Sequence, residues 1–185
     1  MIEANELRKG TTFTHNNELF KVIDYSHNKT ARGSATVRVK VKNIITGSTI
    51  EKTFNGDKRV QDIRLDHRDA EYLYTDGQLY YFMDLETYEQ PGIDADLLEN
   101  IIPYLKENMK VKISSYQDKP VDIEIPITVE LEVTHTEPGY AGDTTGGATK
   151  PATLTTGLEV KVPLFINIGD VIRVKTSTGE YITRV

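Results

Sequence analysis

The 185-residue sequence predicts an almost wholly β protein made of three consecutive small barrels. Three observations carry that expectation. Apolar and polar residues alternate in short stretches at the period of a strand. Glycine, asparagine and aspartate fall between those stretches, where tight turns need them. Helical spacing is confined to one segment near Asp94–Leu105.

The first block covers residues 1–64. Phe20 to Tyr25 and Ala35 to Val41 read as the arms of a hairpin around the loop HNKTARGS, and the second arm is the clearer. Val37, Val39 and Val41 point to one side and Arg38, Lys40 and Lys42 to the other. The turn Asn43–Gly47 leads into a strand over Ser48–Phe54, which Asn55-Gly56-Asp57 ends. These strands suit a small SH3-like barrel ending near Arg64.

The second block covers residues 65–127. Ala70–Tyr74, the turn Thr75-Asp76-Gly77 and Leu79–Asp84 read as a hairpin rich in aromatics, namely Tyr72, Tyr74, Tyr80, Tyr81 and Phe82. Their alternation favours core packing over a platform for stacking bases. A short helix is expected near Asp94–Leu105, capped by Asp94 or Asp96 and broken at Pro103. It would bury Leu97, Leu98, Ile101, Ile102 and Leu105. Lys110–Tyr116 and Val121–Ile125 close the block.

The third block covers residues 128–185. Val129, Leu131 and Val133 alternate with Glu130, Glu132 and Thr134. Val160 and Val162 alternate with Glu159 and Lys161, and Pro163 edges that strand. Ile166, Ile168, Val171, Ile172 and Val174 continue the core, while Gly157 and Gly179 suit turns that need positive φ. The last two blocks read as OB-type barrels. Blocks this small bury modest cores, so shared surface between them is expected to add stability.

Composition narrows the function. There is no cysteine, which excludes disulfides and thiolate metal sites and suits a reducing compartment. The start MIEANELRKG lacks the apolar stretch of a signal peptide, and no run approaches the ~18 apolar residues of a membrane span. The reading is a soluble, cytoplasmic, monomeric protein. The net charge of −6 is uneven: +5 over residues 1–64, −9 over 65–127 and −2 over 128–185. A basic first third suits an RNA-facing end, whereas the acidic middle opposes a general nucleic-acid coat.

No catalytic or metal-binding constellation emerges. His15, His27, His67 and His135 are scattered singly, and Ser34 has no nucleophile-elbow setting. Asp84, Glu86, Glu89 and Asp94 form no acid–base pair and read as a solvated edge. Gly142-Asp143-Thr144-Thr145-Gly146-Gly147 has the small residues of a phosphate nest but lacks the GxxxxGK[ST] pattern. Arg32, in the loop HNKTARGS, reads on its residues alone more readily as a solvated loop arginine, with recognition as the alternative. Small neighbours, Ala31 and Gly33, leave its guanidinium free to project, and Lys29 adds a charge nearby. A planar cation with five donors suits phosphate, ribose and base edges.

The frame Lys150-x-Ala152-x4-Gly157-x2-Val160-x-Val162-Pro163-x2-Ile166-x2-Gly169 carries more than periodicity. Together with LRKG, VKNIITG, EKTF, YFMDLETYEQ, GDTTGGATKPATL and TGEY it resembles the bacterial elongation factor P family over essentially the whole chain. The resemblance implies a tRNA-like outline and a place on the 70S ribosome between the peptidyl and exit sites. It implies stimulation of peptide-bond formation at consecutive prolines, in an accessory that is not itself an enzyme and needs no cofactor. By position Arg32 is the tip residue, with Lys29, Thr30, Ala31, Gly33 and Ser34 as the loop that meets the CCA end of the P-site peptidyl-tRNA. Gly142, Asp143 and Thr144 belong to a loop that meets ribosomal RNA. Arginine at the tip rules out lysylation. It implies a modification such as rhamnosylation by a dedicated glycosyltransferase, as in some arginine-bearing lineages. The alternatives are the family's arginine-type paralogue and a general OB-fold nucleic-acid-binding protein. Intact GDT and TGEY segments favour the main factor.

Overall fold

The computed structural model describes residues 1–28, 35–139 and 147–185. The chain is nearly all β, and α-helix among the described residues amounts to Ala95–Leu98 (α1). In order, the strands are β1 (Ile2–Glu3), β2 (Thr12–His15), β3 (Glu18–Asn28), β4 (Thr36–Asn43), β5 (Thr49–Asn55), β6 (Arg59–Asp62), β7 (Asp66–Thr75) and β8 (Leu79–Asp84). They continue as β9 (Gly92–Asp94), β10 (Lys110–Tyr116), β11 (Lys119–Glu124), β12 (Thr128–Thr136), β13 (Thr149–Leu154), β14 (Glu159–Pro163), β15 (Val171–Lys175) and β16 (Tyr181–Arg184). Three sheets result, ordered β1-β6-β2-β3-β4-β5, β11-β10-β7-β8-β9 and β14-β13-β12-β15-β16.

The chain divides into two compact units, Met1–His67 with Ile113–Asp122 and Arg68–Lys112 with Ile123–Val185. In the first, alternation dictates the core. Val37, Val39 and Val41 of β4 are fully buried with Phe13, Phe20, Val22 and Leu7. Arg38 and Lys40 on the other side of the strand are exposed. The rings of Phe13 and Phe20 pair across β2 and β3 with centroids 5.8 Å apart. A second cluster joins Leu19 and Ile44 to Val121, with Ile63, Leu65 and Tyr116 against it. A half-buried pair, Lys21 to Asp122 at 3.0 Å, accompanies it.

β3 departs from regular pairing once. Val22 faces Val41, but Asp24 rather than Ile23 faces Lys40, so one extra residue is accommodated as a bulge. The turn into β5 is built by Asn43, whose buried Oδ1 accepts the N–H groups of Ile45 and Thr46, both at 3.0 Å, while Gly47 takes φ +73°.

In the second unit the aromatic hairpin is divided. Tyr72 and Phe82 are buried, whereas Tyr74 is half exposed and stacks on Tyr81 at 4.7 Å. The helix is shorter than the sequence implies. Asp94 caps it, as expected, by accepting the N–H of Asp96 at 3.0 Å. The α-helix stops at Leu98, well before Pro103, and a separate 3-10 turn over Ile102–Tyr104 follows. Of the five residues expected inside, Leu98 and Leu105 are buried, while Leu97, Ile101 and Ile102 are half-buried. Pro103 lacks the N–H that helical bonding at its own position needs, and the 3-10 turn accommodates it near its start. Tyr104 of that turn enters the core formed by Val129, Leu131, Val133, Val160, Val162, Ile172 and Val174. Ile168, expected in this core, is exposed, because Asn167–Asp170 form a turn closed by Asp170 accepting the Asn167 N–H.

Asp84 is also buried rather than part of a solvated edge. Its Oδ1 accepts the N–H groups of Glu86 at 2.8 Å and Thr87 at 3.0 Å, and its Oδ2 accepts from Arg68 at 3.2 Å. These donors, the Thr87 and Glu86 N–H groups foremost, hold its carboxyl below the ordinary value of 3.8. A lowered native value means the contribution is complete above the ordinary value and lost as pH falls through the native one. The urea midpoint of the parent should therefore exceed that of Asp84→Asn by most near neutrality, and the gap should close in acid. A gap that stays constant with pH would remove the charge from the explanation.

Candidate functional site

The β3–β4 hairpin positions the first candidate site. Its ladder continues outward through Tyr25↔Val39, Ser26↔Arg38 and His27↔Val37 to Asn28↔Thr36. The expected arms, Phe20–Tyr25 and Ala35–Val41, are thus longer on the β3 side than the alternation suggests. The paired ends Asn28 and Thr36 leave residues 29–35 as the connection, and Arg32 is its middle member by count. Arg32 itself, with Lys29, Thr30, Ala31, Gly33 and Ser34, lies outside the described residues. The returning end of the connection is fixed. Ala35 O accepts the Gly56 N–H at 2.7 Å, and Thr36 pairs with Asn55. A Cβ at Gly56 would come within 3.0 Å of that oxygen, so the close approach needs glycine.

The polar face of the hairpin is basic but unevenly so. Lys40 has Asp24 and Glu51 directly opposite on its two neighbouring strands. Arg38 has Ser26 and Thr53 opposite, so no carboxylate neutralises it across the sheet. Nearby, burial and the charges of Lys52 and Lys58 push His15 below its ordinary value.

A cluster beside the hairpin was not apparent from sequence, apart from His27. The Arg8 Nη1 donates to Asn5 O at 2.8 Å and Leu7 O at 2.9 Å, and lies 3.4 Å from His27 Nε2. Its guanidinium sits 5.2 Å from the centre of the Tyr25 ring, which meets the His27 ring edge-on at 5.4 Å. Tyr25 and His27 face the same side as Val39 and Val37, and that shared parity is the signal the sequence held.

The second candidate site, Gly142, Asp143 and Thr144, also lies outside the described residues. Its flanks are well held. Lys150 is buried and donates from Nζ to Glu137 O at 2.7 Å, and Thr136 Oγ1 donates to Pro151 O at 2.9 Å. Gly139 packs so closely on Leu164 that a Cβ would lie 2.6 Å from its oxygen. Among the described residues no three His, Asp or Glu side chains group as metal ligands. His67 Nδ1 and Ser114 Oγ lie 2.9 Å apart on the neighbouring strands β7 and β10. No helix among the described residues is long and apolar enough to cross a membrane.

Comparison with known proteins is consistent along the chain. Family models match residues 3–60, described as the elongation factor P KOW-like domain, 65–123, the elongation factor P OB domain, and 129–184, elongation factor P, C-terminal. A protein named elongation factor P from Thermoanaerobacter sp. (strain X514) is 49% identical over 185 residues, covering 100% of both chains. One of the same name from Ruminiclostridium cellulolyticum is 50% identical over 185 residues, again covering 100% of both. Among solved structures, a eukaryotic translation initiation factor 5A from Methanococcus jannaschii superposes with a TM-score of 0.52 at 21% identity. The match covers 68% of this chain and 90% of that one, a likeness of fold alone. With its three segments matched in order and relatives about half identical end to end, the chain belongs to the elongation factor P family of translation factors.

Proposed function

We propose that the protein binds the ribosome between the peptidyl and exit sites and promotes peptide-bond formation when consecutive prolines slow it. Its three matched segments act as successive modules of one monomeric factor. The observation that carries this reading is the hairpin ladder, which runs out to Asn28↔Thr36 and leaves Arg32 midway along the connection. A cation carried on the connection of a paired hairpin can reach into RNA while the hairpin's root stays packed in a core.

The mechanism is positional. A nascent Pro-Pro segment misorients the ester to be attacked, and proline is a rigid acceptor. Arg32 lies along the CCA end of peptidyl-tRNA and holds it in a reactive pose, which lowers the entropic part of the barrier. The ribosome supplies the catalytic centre. Lys29 and the small residues Thr30, Ala31, Gly33 and Ser34 border that contact, and Gly142, Asp143 and Thr144 meet ribosomal RNA elsewhere. Arg32 accepts a sugar such as rhamnose from a dedicated glycosyltransferase, which extends the tip and adds hydroxyls.

The test is synthesis on a Pro-Pro-Pro template in a reconstituted bacterial system, without factor, with this protein and with Arg32→Ala. Holding the pose through orientation and charge–phosphate contacts is worth ~2–3 kcal/mol, so the substitution should slow the stimulated step by about thirty- to a hundredfold. Stimulation untouched by the substitution would move the mechanism away from Arg32. No stimulation, even by protein purified from its native host with its modification intact, would overturn the reading.

A further inference from the structure

We propose that Arg8 is a positioning residue for the tip: a strut that spans the bulge in β3 and fixes the direction of the hairpin's outer end. The inference rests on the function proposed above and names a residue that serves it without touching RNA.

The argument starts from the bulge. Between Val22 and Asp24 the ladder takes up an extra residue, and such a step interrupts pairing and bends the strand. The outer segment, Asp24–Asn28, keeps β4 on one side, but β2 pairs β3 only as far as Lys21, so among the described residues no strand holds its other edge. Arg8 connects this segment to the inner one. Its own backbone belongs to a turn in which Thr11 N–H donates to Arg8 O at 3.0 Å and Gly10, at φ +89°, donates to Val22 O at 2.8 Å. That turn is tied to β3 on the inner side of the bulge, next to the fully buried Leu7.

The side chain reaches the outer side. The Arg8 guanidinium bonds Asn5 O and Leu7 O, covers the Tyr25 ring and approaches His27 Nε2. Nη1 has two hydrogens for these three neighbours, so His27 Nε2, the farthest at 3.4 Å, shares one of them. Both carbonyl bonds leave the one nitrogen Nη1 while the guanidinium lies over the ring; a lysine ammonium could reach the carbonyls but has no flat face to stack. Arg8 is exposed and Tyr25 is 38% exposed, so the contact contributes little to the core. Its consequence is directional, and the connection it directs is the one that holds Arg32.

Two measurements on the full-length protein decide the matter. The first is backbone NMR order at the Ser26 and His27 amides. The second is the Pro-Pro-Pro reaction followed against factor concentration, which separates the maximal rate from the half-saturating concentration. Arg8→Ala should lower order at both amides and cut the maximal rate about three- to tenfold, with half-saturation changed by less than about twofold. Tyr25→Leu, which removes the stacked ring but leaves the arginine, should do the same. Arg8→Lys should restore less than half of the lost rate. Unchanged order with an unchanged maximal rate would overturn the proposal. A defect confined to half-saturation would also overturn it, marking Arg8 as a ribosome contact. If the unsubstituted protein gives no stimulation, the functional reading fails instead, and the strut stands or falls on the two amides.

Discussion

Phe20→Ala should lose about 3–5 kcal/mol of stability, read as a lower urea midpoint by far-ultraviolet circular dichroism. Phe20 is fully buried and packs on Phe13 across the β2–β3 pair, with the Lys52 ammonium 4.6 Å from its ring centre. Removing the ring deletes its transfer energy and leaves a cavity lined by Phe13 and the valines of β4, whose strand pairing restricts collapse. Phe20→Leu keeps most of the volume and should cost less than about 1.5 kcal/mol. Equal losses in the two variants would show that ring volume is not what the site needs. The same residue stands at the root of the hairpin, so on the function proposed above the alanine variant should also stimulate Pro-Pro-Pro synthesis poorly at temperatures where the parent is intact.

The second large effect is expected in the other unit. Tyr104→Ala should cost about 3–4 kcal/mol, because this ring belongs to the core shared by β12, β13, β14 and β15. It is carried in by the short turn after α1, and Thr156 Oγ1 donates to the neighbouring Pro103 O, fastening that turn to the one before β14. Tyr104→Phe retains the ring and should stay within about 1 kcal/mol of the parent. Should the phenylalanine variant lose as much as the alanine one, the hydroxyl rather than packing would be the stabilising group. The hydroxyl also stands 3.1 Å from where a Cβ at Gly179 would be, so packing is tight on that side too.

Much of the fold was legible because its physics is local. Alternation in β4 and β12 places Val37, Val39, Val41, Val129, Leu131 and Val133 inside without reference to anything distant. Turns at Gly47, Gly157 and Gly179 follow from the positive φ that their geometry demands. What stayed hidden depends on partners far along the chain. Leu97, Ile101 and Ile102 satisfy helical spacing, but the segment was divided into a single helical turn and a 3-10 turn that delivers Tyr104 to a core built mostly of residues beyond 128. Asp84 resembles any surface carboxylate in sequence, and becomes buried only because two N–H groups of its own turn and Arg68 satisfy it. Lys150, the first residue of the family frame, is a buried ammonium bonded to Glu137 O, a partner that its spacing does not reveal.

The candidate site divides along the same line. That a basic loop would sit on a hairpin was readable from HNKTARGS and the valine alternation after it. The Arg8–Tyr25–His27 contact was not, since Arg8 lies far from the hairpin in sequence and the bulge changes which residues of β3 share a side. Odd-numbered Tyr25 and His27 continue the side begun by even-numbered Phe20 and Val22, a shift that regular alternation does not anticipate.

That extra residue in β3 also separates two things a recognition arm must specify. Beyond it, each β3 residue keeps its partner on β4 however the strand is bent, so the loop's contents are independent of where the arm points. Before it, the strand belongs to the packed sheet. On the function proposed above, aim is set at residues 22–24 and recognition at residues 29–35, so the tip residue can be exchanged without retuning the arm, or the arm retuned without exchanging the tip.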